Sequence, residues 1–223
     1  MKTESSVAGV DLIGLEDPGF EAALETLLGR RPDEVLIPAL PYSVIARNFS
    51  ARAIALLGVR FDMTSAAGKS CSVVHYADSL RNPENADLAP GRMRFVSAEP
   101  LYTRLVLRRE DRVDPRGPMN LANLRKAIGI RASVDCVAFD DGSFTGPDSL
   151  HAFDRLARER AGELEFLAAL PAPPASEDFL LRATENPGLR ALARKLYEGL
   201  TTGGEAEMKK RAAGHRCRLP LHR

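Results

Sequence analysis

Apolar positions change their spacing twice along this chain. Near the start, Phe20, Ala23, Leu24, Leu27 and Leu28 recur at helical intervals. Asp17-Pro18 before them suits a cap and a first helical position, and Gly29 suits a stop, so the pattern predicts a short helix. From Val35 the period falls to about two, the mark of strands. Tyr42, Val44 and Ala46 alternate with Ser43, Ile45 and Arg47, and Asn48-Phe49-Ser50 supplies turn chemistry. Residues 53–63 read as a long strand in which Ile54 and Leu56 share one phase and Leu57, Val59, Phe61 and Met63 the other. The switch beside Gly58 predicts a bulge or a bend. Residues 64–69 read as a small-residue hairpin loop, with a return strand over 71–76. Met93–Ser97 and residues 101–108 read as further strands, residues 121–128 as one or two helical turns closed by Gly129. The last strand is expected over 130–139, with Ile130, Ala132, Val134, Cys136 and Ala138 on one face.

Beyond Pro147 the spacing becomes helical. Asp148 or Ser149 is placed to cap a helix running to Leu170 and bearing Leu150, Phe153, Leu156, Leu164 and Leu167. Pro171-Ala172-Pro173-Pro174 is a stiff break. Two shorter helices follow, split at Asn186-Pro187-Gly188, the second striped by Leu189, Leu192, Leu196 and Leu200. About seven short strands without intervening helices point to a mainly β fold with helical additions. The expected architecture is an antiparallel immunoglobulin-like β-sandwich, preceded by a short helix and followed by C-terminal helices. Its regions are an arm at 1–34, a sandwich domain at 35–146, a helical region at 147–208 and a basic tail at 209–223.

Composition narrows the class. Among 223 residues, 44% are apolar and 27% charged, and 31 Lys and Arg against 30 Asp and Glu leave a net charge of +1. Those proportions fit a globular chain and exclude a collagen, a coiled coil or a disordered polymer. No run approaches the ~20 apolar residues of a membrane span. The first twenty residues carry Glu4, Asp11, Glu16 and Asp17 instead of a continuous apolar core, so the expected location is the cytoplasm. Cys71, Cys136 and Cys217 form no C-x-x-C pair and imply neither a disulfide framework nor a zinc ribbon; Cys71 and Cys136 read as small hydrophobes on strands.

The succession Asn48-Phe49-Ser50, long strand, polar hairpin with Gly68, then Leu88-Ala89-Pro90-Gly91 before another strand resembles the FxLYD-type and related immunoglobulin-like sandwiches of bacterial proteins. The segment from Val134 to Phe144, followed by Gly146-Pro147-Asp148, is similar to a stretch seen in uncharacterised bacterial proteins. The resemblance covers residues 35–148. It implies a sandwich of unknown function and carries over no catalytic residue.

Each candidate site has a plainer use. Ala67-Gly68-Lys69-Ser70 looks like the end of a phosphate loop, but position 63 is Met where the motif needs its first glycine, so a hairpin turn is expected. Asp140-Asp141-Gly142 with Asp148 offers oxygen ligands to Ca²⁺ or Mg²⁺, while the same residues suit a turn and a helix cap. His75, His151, His215 and His222 show no paired-ligand spacing, and no G-x-S-x-G elbow is present. The stretch 209–223 has six Lys or Arg, two His and no acid. Lys209, Lys210, Arg211, Arg216 and Arg218 are candidate phosphate contacts, with a solvated terminus as the plainer reading. On that reading, removing 209–223 leaves melting unchanged. No catalytic, cofactor or metal residue is expected. The expectation is a non-enzymatic interaction or scaffold protein, with a protein partner at a sandwich edge or on the C-terminal helices. An anionic-polymer binder acting through the tail, and then a hydrolase with a dispersed site, are the alternatives.

Overall fold

The computed structural model describes residues 1–5, 7, 9–79, 87–100, 102, 103, 106, 124–171, 175–186 and 188–216. Their elements, in order, are β1 (Lys2–Glu4), β2 (Val10–Gly14), α1 (Phe20–Leu28), a 3-10 turn (Ile37–Tyr42), β3 (Ser43–Asn48), β4 (Ile54–Ser65), β5 (Ser70–Asp78), β6 (Met93–Ser97), β7 (Ala127–Phe139), β8 (Phe144–Thr145), α2 (Ala152–Ala168), α3 (Ala175–Ala183) and α4 (Arg190–Arg216). The chain divides into two compact units, Met1–Asp140 with Thr145–Leu150, and Asp141–Phe144 with His151–Arg223.

The first unit holds two sheets. One runs β1-β7-β4-β5, the other β2-β3-β6. A single apolar core draws on both, with Leu57, Val59 and Phe61 of β4 and Val134, Val137 and Phe139 of β7 meeting Val44, Ile45, Phe95 and Val96 of β3 and β6. Phe20 and Leu24 of α1 join the same core. Asn48, fully buried, closes β3. Its Oδ1 accepts the Ser50 N–H at 2.9 Å, and its Nδ2 donates to the Arg52 and Leu88 carbonyls at 2.8 Å each. The N-x-S triplet is thus a turn whose Asn satisfies backbone groups of the β3–β4 connection and of Leu88.

Four expectations change. Of the described residues 39% are helix and 32% strand, a mixed α and β protein in place of a mainly β one, because helix occupies most of the residues after Leu150. The strands are not all antiparallel. β1 pairs β7 in parallel, Lys2 facing Arg131 and Glu4 facing Ser133, since no turn between such distant segments forces opposite directions. In the third case, Tyr102, Thr103 and Val106 are helical where a strand was expected, while 101, 104, 105 and 107–123 lie outside the described residues. Ala127 and Ile128, expected in a helical turn, begin β7, where pairing with β4 supplies the hydrogen bonds a short isolated turn lacks.

Boundaries shift for local reasons. α1 starts at Phe20, because the Asp17 carboxylate accepts the Gly19 N–H at 2.9 Å in a turn ahead of the helix. Gly29 ends it at φ 67°. α2 starts at Ala152 behind a left-handed His151, and neither Asp148 nor Ser149 caps it. Residues 172–174 of the proline break lie outside the described residues.

The second unit packs Phe166 and Leu167 of α2, Leu180 of α3 and Leu192, Leu196, Met208 and Ala212 of α4 into its own core. Phe166 and Phe179 stack at 5.2 Å. α4 is two arms meeting at Gly204, whose φ of 67° and ψ of −162° leave the helix. The arms close so tightly that a β-carbon at Gly199 would lie 2.8 Å from Arg211 Cδ and 3.2 Å from Met208 Cα.

Candidate functional site

The long strands β4 and β7 do not stay in register. Gly58 faces Cys136 and Val59 faces Val134, so Asp135 is an extra residue on β7. The bulge foreseen beside Gly58 is present, with its additional residue on the partner strand. Its consequence is a change of phase. Val134 and Val137 both point into the shared core, and the two residues between them are both diverted from it. The expectation that Ile130, Ala132, Val134, Cys136 and Ala138 share one face therefore fails from Cys136 onward, where Val137 and Phe139 take the core positions, because strict alternation stops where the ladder gains a residue.

The chain then folds back over the bulge. The Asp148 N–H donates to the Asp135 carbonyl at 2.9 Å. The Ser149 N–H and hydroxyl both donate to Asp135 Oδ1, at 3.1 and 2.6 Å. Only glycine permits this approach at position 146. A β-carbon there would lie 2.5 Å from the Asp135 carbonyl oxygen and 2.8 Å from Cys136 Cα, and φ is already 121°. Asp148 itself sits at φ 54°, a strained conformation for a residue with a β-carbon. On the other side, Gly58 makes room for the thiol, since a β-carbon there would be 2.7 Å from Cys136 Sγ.

The result is a cluster of Asp135, Cys136 and Asp148, exposed to 1%, 0% and 5%, with one potential ligand atom from each lying within 4.8 Å of the others. Asp135 Oδ2 is buried, and no donor among the described residues reaches it. Of the oxygen ligands weighed from the sequence, Asp148 belongs to this cluster. Asp140 and Asp141 do not: the Asp141 carboxylate accepts the Ser143 N–H at 2.9 Å in a turn where Gly142 takes φ 85°. Sequence reasoning passed over Asp135 and read Cys136 as a small hydrophobe. The available signal was a carboxylate within the otherwise apolar run from Val134 to Phe139.

A second polar group surrounds His75 on β5. Its Nε2 donates to the Ala98 carbonyl at 2.8 Å, and its ring meets Phe61 edge-on. Burial holds the imidazole below its ordinary pKa, against the upward pull of that hydrogen bond and of Glu99. Gly68 turns the β4–β5 hairpin at φ 74°, so the Gly-Lys-Ser triplet lies in a turn between strands.

The basic residues are drawn into helix contacts. Lys209 pairs with Glu205 at 2.5 Å, Lys210 with Glu207 at 3.9 Å and Arg211 with Glu207 at 3.0 Å. Arg211 also donates to the Lys195 carbonyl at 3.0 Å, bridging the two arms of α4, and its hydrogen bond holds the Glu207 carboxyl below the usual range. α4 runs through these positions to Arg216, and Arg218 lies outside the described residues. No helix among the described residues is long and apolar enough to cross a membrane. In comparisons with known proteins, no family model, no curated protein and no solved structure matches the chain.

Proposed function

We propose that this chain is a non-enzymatic interaction or scaffold protein whose two sheets form an immunoglobulin-like sandwich of the FxLYD type. It receives an extended segment of a protein partner along β5. The observation that carries this reading is the edge itself. Among the described residues β5 pairs with β4 alone, and Ser70 to Val73 are exposed. From Ser70 to Ala77 the strand holds no Lys, Arg, Asp, Glu or Pro, the residues that ordinarily guard an edge against pairing. Such an edge offers a row of backbone donors and acceptors to an added strand, with side-chain positions such as Val73 supplying selectivity. The ion pairs of Lys209, Lys210 and Arg211 support the same reading over an anionic-polymer binder, because each of these cations already faces a carboxylate.

The test is retention of partners from the native source by the full chain and by Val73→Lys, which places a charge on the exposed edge without touching the core. The expected result is loss of the retained partner with an unchanged melting temperature. Retention indifferent to Val73→Lys refutes docking at the edge, and submicromolar binding to DNA or RNA at about 0.15 M salt refutes the scaffold reading.

A further inference from the structure

We propose that Asp135, Cys136 and Asp148 form a binding site for a divalent cation of the Zn²⁺ class, which pins the returning loop to the bulge of β7. Three independent features converge on it. The donor set combines one thiol with two carboxylates. Thiolate selects against Mg²⁺ and Ca²⁺, carboxylate is a poor ligand for Cu(I), and Zn²⁺ accepts both. The backbone is arranged for convergence. The extra residue at Asp135 diverts two adjacent side chains from the core, Gly146 admits the loop at a distance no other residue allows, and Asp148 is held at φ 54°. Finally, Asp135 is 99% removed from solvent, since only 1% of it is exposed, yet Oδ2 has no donor among the described residues. A buried carboxylate with one unsatisfied oxygen is costly unless a cation meets it.

The dimensions suit the chemistry. A tetrahedral ion with bonds of about 2.0–2.3 Å holds its ligands about 3.3–3.8 Å apart. Ligand atoms now within 4.8 Å need close by only about 1–1.5 Å at the widest, within reach of small side-chain rotations. Three protein ligands leave one tetrahedral position, which a water or a carbonyl oxygen fills. On binding, the Cys136 thiol gives its proton to solvent and the sulfur lone pair goes to the metal, so one proton is released per ion bound. Ser149 orients the site by holding Asp135 Oδ1 and leaving Oδ2 for the ion.

The experiment titrates Co²⁺ and then Zn²⁺ into the full chain after chelator treatment, following the thiolate-to-cobalt charge-transfer absorption and the melting temperature. A one-to-one absorption displaced by Zn²⁺, with a rise in melting temperature, is expected. Cys136→Ser abolishes the absorption, whereas Cys71→Ser and Cys217→Ser leave it. Asp135→Asn weakens binding more than about a hundredfold, since loss of an outer-shell partner alone costs 10–100-fold. The metal-free Asp135→Asn protein melts no lower than the metal-free wild type, which separates loss of a ligand from failure to fold. No absorption and no thermal shift in the wild type overturns the proposal. So does an absorption that survives Cys136→Ser.

Discussion

Replacing Gly146 by alanine tests how firmly the loop is bound to the β7 bulge. The new β-carbon would stand 2.5 Å from the Asp135 carbonyl oxygen, where ordinary contact begins at 3.4 Å, so the loop must retreat by about 0.9 Å. That lengthens the Asp148 N–H to Asp135 carbonyl bond from 2.9 Å to beyond hydrogen-bonding range. An unpaired buried carbonyl costs about 1–3 kcal/mol, positive φ on a residue with a β-carbon adds about 1–2, and weakening of the Ser149 bonds to a buried carboxylate adds more. The expected loss is about 3–5 kcal/mol. Gly68→Ala is the control. It has φ 74° but no atom within 4 Å of the added carbon, so it suffers the backbone cost alone, about 1–2 kcal/mol. Both variants should be unfolded in urea with chelator present, so that metal occupancy does not enter. Near-ultraviolet circular dichroism of tyrosine suits the measurement, because the chain has four Tyr and no Trp, and Tyr42, Tyr76 and Tyr102 lie in the first unit. If Gly146→Ala loses no more stability than Gly68→Ala, the loop relaxes freely and the close approach does not hold it.

Two further predictions concern titration and the C-terminal helix. The pKa of His75 is lowered by folding, so the unfolded chain binds a proton first as pH falls through the ordinary value of 6.5. The stabilising contribution is therefore present above that pH and lost below it. His75→Gln should flatten this part of the melting profile between about pH 8 and 5, and an unchanged slope would refute the assignment. Removing 209–223 deletes Ala212 from the second core and the Arg211 bridge to Lys195, so the second unit should melt earlier, in contrast to what a solvated tail implies. Calorimetry showing two transitions with neither moved would refute this.

What the sequence made legible follows from which interactions are local. Gly29, Gly142 and the Asn48 turn were readable because backbone conformation and Asx hydrogen bonds are decided within a few residues. β6 was read at its full extent because apolar residues bounded by turns leave little choice. The phase of β7 was not readable, since it depends on a residue added against a strand sixty or more positions away. The parallel β1, three residues long, has no periodicity to detect. Lys209, Lys210 and Arg211 looked like a free cationic tail because only their charge is visible in sequence. Their carboxylate partners at i−3 and i−4, Glu205 and Glu207, lie just before the acid-free stretch 209–223. Asp135 escaped notice because its role is set by Ser149 and Asp148, which return from beyond the strand.

The pairing of β4 between β5 and β7 also sets an order of events during synthesis. β5 follows β4 after a short hairpin and covers one of its edges at once. β7 begins roughly fifty residues after β5 ends, about 2.5–10 s of translation at 5–20 residues per second. Throughout that interval the other edge of a twelve-residue apolar strand stands open to any neighbouring nascent chain. Slow or stalled elongation between β5 and β7 should therefore lower soluble yield more than a stall placed after β7, even though both leave the finished protein identical.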